Sequence, residues 1–250
     1  MNSMAKPFRA GLLALGVCSL AHAGTTFTIS NLNNVLYSAG EAISPYSGSL
    51  NGQAVTLFCD DFNDTVHIPA SYQVNVTAVD AGNLQATRFG TSNYNSAYPA
   101  GTVLYEEIAW LFTQMVQAGQ STANQIAIQE AVWHMTASTP GAVSTTSLSN
   151  TGGNLTYLQW IADAGNDYNS TASGFATPNY SNWMILTDVA NASVKSQGAG
   201  NQELLAYFSS SNPASVPSSA TPEPGTMVML ATGLILIATA LQRRSAAERG

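Results

Sequence analysis

Gln129 places a primary carboxamide in the stretch Ala123 to Met135, ANQIAIQEAVWHM, where apolar residues occupy nearly every turn of a helix. By three-and-four spacing it shares a face with Ile126, Val132 and Trp133. Buried without a partner, an amide costs roughly 1 to 3 kcal/mol, so this one is either hydrogen-bonded or chemically used. The first reading is a satisfied core glutamine. The second is a glutamine with a covalent partner, and the chain supplies one candidate nucleophile, Cys59.

Cys59 stands alone once the N-terminus is understood. Residues Met1 to Ala23 carry Lys6 and Arg9, then an apolar run from Ala10 to Leu20, then Ala21-His22-Ala23. This is the layout of a secretory signal peptide cut behind Ala23 by signal peptidase. Cys18 lies within it, and Val17 is a poor predecessor for a lipidated cysteine. The exported chain keeps one thiol, which means an intermolecular bridge, an inert buried side chain or a reactive group.

Composition narrows the class. Only 8% of residues are charged, and between Thr25 and Thr221 the basic residues are Arg88 and Lys195 alone, against a dozen acids from Glu41 to Glu203. Nucleic acid and anionic membrane surfaces are therefore poor partners. No His, Cys and carboxylate cluster has transition-metal spacing. The Asp60, Asp61 and Asp64 group lacks the glycine and distal glutamate of an EF-hand, so no metal and no cofactor is expected.

The elements that must position Cys59 and Gln129 follow from periodicity. Thr25 to Leu32 alternates as a strand, Asn33 to Asn51 is turn-rich, and Ala54 to Phe62 (AVTLFCDDF) puts Val55, Leu57 and Cys59 on one face. Ser71 to Val79 is a further strand. From Thr102, taken as a cap, a helix runs to about Ala118. Thr122, with Gln125 in capping-box position, starts the helix of Gln129, which Thr139-Pro140-Gly141 ends. A third helix spans Leu155 to Ala164, and strands return at Trp183 to Val189 and Gln202 to Phe208. The expected class is α+β: a mostly antiparallel β barrel or sandwich lobe with a packed or inserted helical lobe.

The C-terminus has three parts: a Ser/Pro linker over 209–225 ending in Pro222-Glu223-Pro224, an apolar segment over 226–242, and a tail over 243–250 that opens with Arg243 and Arg244. The apolar segment reads as a transmembrane helix and the arginines as its cytoplasmic side. This tail closely resembles the PEP-CTERM sorting signal. The resemblance implies an exosortase that acts near Pro222, Glu223 and Pro224. It also implies a precursor anchored in the inner membrane of a Gram-negative bacterium with an exopolysaccharide system, and a product at the cell surface or in the extracellular matrix.

The residues between signal and tail, 24–208, carry a second resemblance. Leu57-Phe58-Cys59 and Ile128-Gln129-Glu130-Ala131-Val132-Trp133 are similar to the two halves of bacterial thioester domains, in the correct order and about seventy residues apart. In that family an aromatic or leucine precedes a reactive cysteine on a strand, and the glutamine lies in a hydrophobic-Gln-x-x-hydrophobic-Trp helix. The resemblance implies a Cys59–Gln129 cross-link, a β lobe joined to a helical lobe, and an amine-bearing surface or matrix partner.

The chemistry is simple to state. The Cys59 thiolate attacks the Gln129 side-chain carbonyl, ammonia leaves, and an incoming primary amine later takes the acyl group and frees the thiol. This is at most a single-turnover, self-catalysed event, so the chain is not expected to be an enzyme. Trp133, one turn along from Gln129, is expected to shield the bond from water, or else is a plain core tryptophan. The scarcity of lysine, with Lys195 alone in the exported part, suits a protein bearing an amine-reactive bond. His134 should point away from Gln129, and His67 should lie on a loop; of Asp60 and Asp61, which adjoin the cysteine, either one tunes it or, as is usual for paired surface aspartates, both are solvated. Two rival classes are an inert structural matrix protein and a cysteine hydrolase using His67 or His134.

Overall fold

The computed structural model describes residues 25–31, 36–38, 41–65, 67–137, 154–170, 174–190 and 201–209. The signal segment with Ala21 and Ala23, Lys195, nearly all of the linker, Pro222, Glu223, Pro224, the apolar segment at 226–242, Arg243 and Arg244 lie outside the described residues. So does Thr139-Pro140-Gly141. Among the described residues no helix is long and apolar enough to cross a membrane.

Eight strands and three helices make up the described chain: β1 (Thr25–Asn31), β2 (Tyr37–Ser38), β3 (Glu41–Ala42), β4 (Tyr46–Leu50), β5 (Gln53–Cys59), β6 (Ala70–Ala78), α1 (Thr102–Met115), α2 (Thr122–Thr136), α3 (Tyr157–Asp167), β7 (Trp183–Asp188) and β8 (Leu204–Tyr207). Six strands close into an antiparallel barrel in the order β1, β4, β5, β8, β7, β6, while β2 and β3 form a separate hairpin. The class is α+β, the β lobe is a barrel, and all three helices are inserted between β6 and β7.

The barrel follows from two kinds of strand. In β1 and β6 the alternation is clean: Phe27, Ile29, Val74 and Val76 are buried, while Thr26 and Gln73 are exposed. In β5, β7 and β8 consecutive residues are buried, as in Leu57-Phe58-Cys59 and Leu204-Leu205-Ala206, because one face lines the barrel and the other is covered by helices. Phe58 shows the cover directly. Its ring stacks on Phe112 of α1 at 4.7 Å and tilts against Trp183 of β7 at 5.2 Å.

Several boundaries differ from the sequence reading. The turn-rich stretch contains β2, β3 and the barrel strand β4, whose YSGSL conceals its role. A Cβ at Gly48 would come within 2.4 Å of Leu57 Cδ1 and 2.7 Å of the Thr28 carbonyl oxygen, so only glycine lets β4 approach this closely. Strand β5 stops at Cys59, leaving Asp60 and Asp61 beyond it. Helix α1 ends at Met115, and its cap is Gly101 with φ 75°, a backbone that disfavours Thr there. Helix α2 is capped by Ser121, which accepts from the Asn124 N–H, instead of by Thr122. The third helix starts two residues later than expected, behind a Thr156–Gln159 capping box.

A buried polar network joins the lobes. Glu203, at the entry to β8, accepts from the Tyr105 hydroxyl of α1 at 2.6 Å, from the Arg88 backbone N–H at 2.8 Å and from the Thr187 hydroxyl. The Arg88 guanidinium pairs with Asp61 at 3.0 Å and with Asp64. Asp60 and Asp61, expected to be solvated, are both fully buried. Both Asp60 carboxyl oxygens lack a hydrogen-bond partner among the described residues. Burial and the nearby Glu203 and Asp61 charges push its pKa well above the carboxylate range. Arg88 is the guanidinium these acids gather around, which also removes Asp61 and Asp64 as free calcium ligands.

Two predictions follow from this packing. Phe58→Ala, which empties an aromatic site between barrel and helices, should lower stability by about 3 to 5 kcal/mol in urea unfolding. The second concerns pH. Burial raises Asp61 to about 6 and Glu107 to about 7, and it raises Asp60 and Glu203 in the same direction. The folded chain therefore holds more protons than the unfolded chain from about pH 4 to about pH 7, and stability should fall as pH rises through that window. A urea midpoint that rises across it would contradict this.

Candidate functional site

Cys59 is the last residue of β5, and its Cα partner on the neighbouring strand is Leu204 of β8. Gln129 lies mid-helix on α2, and Trp133 follows one turn later on the same face. That four-residue spacing brings both side chains to one strand end. The Gln129 Nε2 donates to the Cys59 carbonyl oxygen at 2.7 Å, and the Trp133 indole N–H donates to the Cys59 sulfur at 3.1 Å. All three residues are at most 2% exposed.

Ser44, just ahead of β4, completes the arrangement. Its backbone N–H donates to Gln129 Oε1 at 3.2 Å, and its hydroxyl oxygen accepts from the Cys59 backbone N–H at 2.8 Å. The three residues close a circuit: Ser44 holds the carboxamide oxygen, the carboxamide nitrogen holds the cysteine carbonyl, and the cysteine N–H returns to Ser44. The carboxamide is thus docked against the backbone of the residue that carries the thiol. Sequence reasoning missed Ser44 because it contributes through its backbone as well as its hydroxyl.

Among the described residues the sulfur has three hydrogen-bond partners. Besides Trp133, it accepts from Gln202 Nε2 at 2.8 Å, and its own S–H points to the Asp61 carbonyl oxygen at 3.6 Å. None is an imidazole. His67 lies on a loop and is exposed, and the His134 ring packs edge-on against Tyr98. Burial pushes the Cys59 thiol well above its ordinary pKa; the Trp133 hydrogen bond opposes this, and the charges of Asp60 and Asp61 add to it. The resting group is a protonated thiol.

A cavity of about 330 Å³ is lined in part by Cys59. Cys59, Trp133, Gln202 and Phe62 form its inner wall, and the exposed Glu41, Thr65 and His67 bring it to the surface. Phe62 and Trp133 pack with ring centres 5.3 Å apart. Gln129 does not line this cavity. Among the described residues no cluster of three His, Cys, Asp or Glu could hold a metal ion.

The site therefore unites Cys59, Gln129 and Trp133, and adds Ser44 and Gln202. Chemically it offers a thiol on the residue whose backbone carbonyl holds the Gln129 carboxamide, and the oxygen of that carboxamide already accepts a backbone N–H. Compared with protein-family models, curated proteins and solved structures, this chain finds no match.

Proposed function

We propose that the chain is an exported surface or matrix protein whose Cys59 and Gln129 form an internal thioester that captures amine-bearing partners covalently. The observation that carries this reading is the closed circuit through Ser44. It fixes the carboxamide against Cys59 and puts a backbone N–H on Gln129 Oε1, the atom that gains negative charge when the acyl carbon is attacked.

The steps balance without a co-reactant. The Cys59 sulfur adds to Gln129 Cδ, the Ser44 N–H holds the developing oxyanion, and the thiol proton ends on the departing nitrogen. The C–N bond breaks, ammonia leaves and the C–S bond remains. A primary amine entering by the cavity then adds to the same carbon, the C–S bond breaks, and the products are a secondary amide at Gln129 and the Cys59 thiol. Trp133 and Phe62 wall the approach and limit hydrolysis.

A raised thiol pKa suits a group used once inside the fold. It is the reverse of what a cysteine hydrolase needs, where an imidazole keeps the thiol ionised. The remaining parts of the reading rest on the terminal segments: export by signal peptidase, sorting by exosortase through the Pro222-Glu223-Pro224 tail, and display at the surface or in the matrix of a Gram-negative cell.

The test is the intact mass of the purified exported domain. A species lighter by one ammonia is expected, and methylamine should convert it to an adduct on Gln129 with a newly titratable Cys59. Cys59→Ala should restore the full mass. Ser44→Ala, which cuts the circuit at the hydroxyl, should lower the lightened fraction. A wild-type domain of full calculated mass that takes no methylamine would overturn the proposal and leave an inert matrix protein. Turnover with native alkylation of Cys59 by iodoacetamide would point to a hydrolase instead.

A further inference from the structure

Gln202 reaches the sulfur across 143 residues of sequence. Nothing in the thioester chemistry as set out above employs it. Its carboxamide is buried at the entry to β8. Nε2 has two hydrogens and two acceptors, the Cys59 sulfur and the Asp61 carbonyl oxygen. The carbonyl can only accept, so the nitrogen, and not Oε1, must face the sulfur. Trp133 supplies a second N–H from the helical side. Two donors from opposite lobes thus converge on one sulfur, whose own proton points to a third group, the Asp61 carbonyl.

A neutral thiol or thioester sulfur is a weak acceptor, so two N–H groups gain little from it at rest. They gain much more from a thiolate, since hydrogen bonds to a charged partner are roughly twice as strong as neutral ones. A thiolate arises here when an amine opens the thioester and the C–S bonding pair leaves on sulfur. We propose that Gln202 is a catalytic residue for that step: with Trp133 it forms a two-donor cradle that holds the sulfur and stabilises it as the leaving thiolate. The inference rests on the thioester reading for its reaction, but the cradle is a property of the sulfur whether or not the bond has formed.

The experiment uses the exported domain and its Gln202→Met variant, which keeps length and volume and removes both N–H donors. Two quantities are measured. The first is the rate of methylamine opening. The second is the pH midpoint for iodoacetamide alkylation of the freed Cys59 thiol. The variant is compared over the fraction that has lost ammonia. It should open roughly ten- to a hundredfold more slowly, the range set by a donor to a charged group, and its alkylation midpoint should move to higher pH. Gln202→Glu should slow opening at least as much, because a carboxylate beside a forming thiolate repels it.

Opening at the wild-type rate with an unmoved midpoint would overturn the proposal. So would a methylamine label on residue 202 in place of residue 129. If the wild-type domain shows the full mass, the thioester reading fails by itself. The alkylation midpoint of the native thiol, compared between wild type and Gln202→Met, then decides the cradle on its own. Should Gln202→Met not fold, Gln202→Glu supplies the same two measurements.

Discussion

Ser44, Cys59 and Gln129 are locked into one ring of three hydrogen bonds, and the rest of the molecule serves to keep that ring closed. Each member comes from a different part of the chain: the segment before β4, the end of β5 and the middle of α2. Removing any one would leave a buried donor or acceptor unpaired, at about 1 to 3 kcal/mol. The barrel supplies the first two members at fixed register, because Tyr46 on β4 pairs with Leu57 on β5. The helical lobe supplies the third and is tied to the barrel by the Phe58–Phe112 stack and by the Tyr105–Glu203 hydrogen bond.

The electrostatics of this region run in one direction. Four buried carboxyl groups lie near Arg88: Asp61 and Asp64 pair with its guanidinium, Glu203 accepts from its backbone N–H, and Asp60 is close enough to feel its charge. One cation cannot neutralise four anions in a poorly solvating interior, so the cluster resists full ionisation and Asp60 is pushed toward its protonated form. The same environment disfavours a cysteine thiolate. The sulfur lies beside negative charge in a region that solvates it weakly, which makes its N–H neighbours the principal source of relief when charge arrives. Stability and reactivity of the site are thus governed by the same shortage of positive charge that marks the composition.

Much of this was legible in the sequence. The period of two around Cys59 placed it in line with core residues. The three-and-four spacing put Gln129 and Trp133 together, and the order of strands and helices pointed to an α+β class, leaving barrel or sandwich and packed or inserted helices open. What was hidden shares one cause: a role that depends on a distant neighbour. Tyr46 to Leu50 reads as turn because Gly48 and its serines suit turns, and only the Leu57 side chain above Gly48 explains the glycine. Asp60 and Asp61 read as solvated until Arg88, nearly thirty residues on, folds in among them. Gln202 reads as the polar edge of a weak strand, and nothing local ties it to residue 59. The one available hint was Arg88 itself, a solitary arginine in a long acidic stretch.

The insertion of all three helices between β6 and β7 has a consequence for timing. Cys59 emerges early from a ribosome or a translocation pore, Gln129 later, and β8, which pairs Leu204 with Cys59, last of all. Until residue 207 is free the barrel stays open beside β5, and the sulfur lacks its final wall. A chain still emerging therefore completes the surroundings of Cys59 only when its last barrel strand is in place.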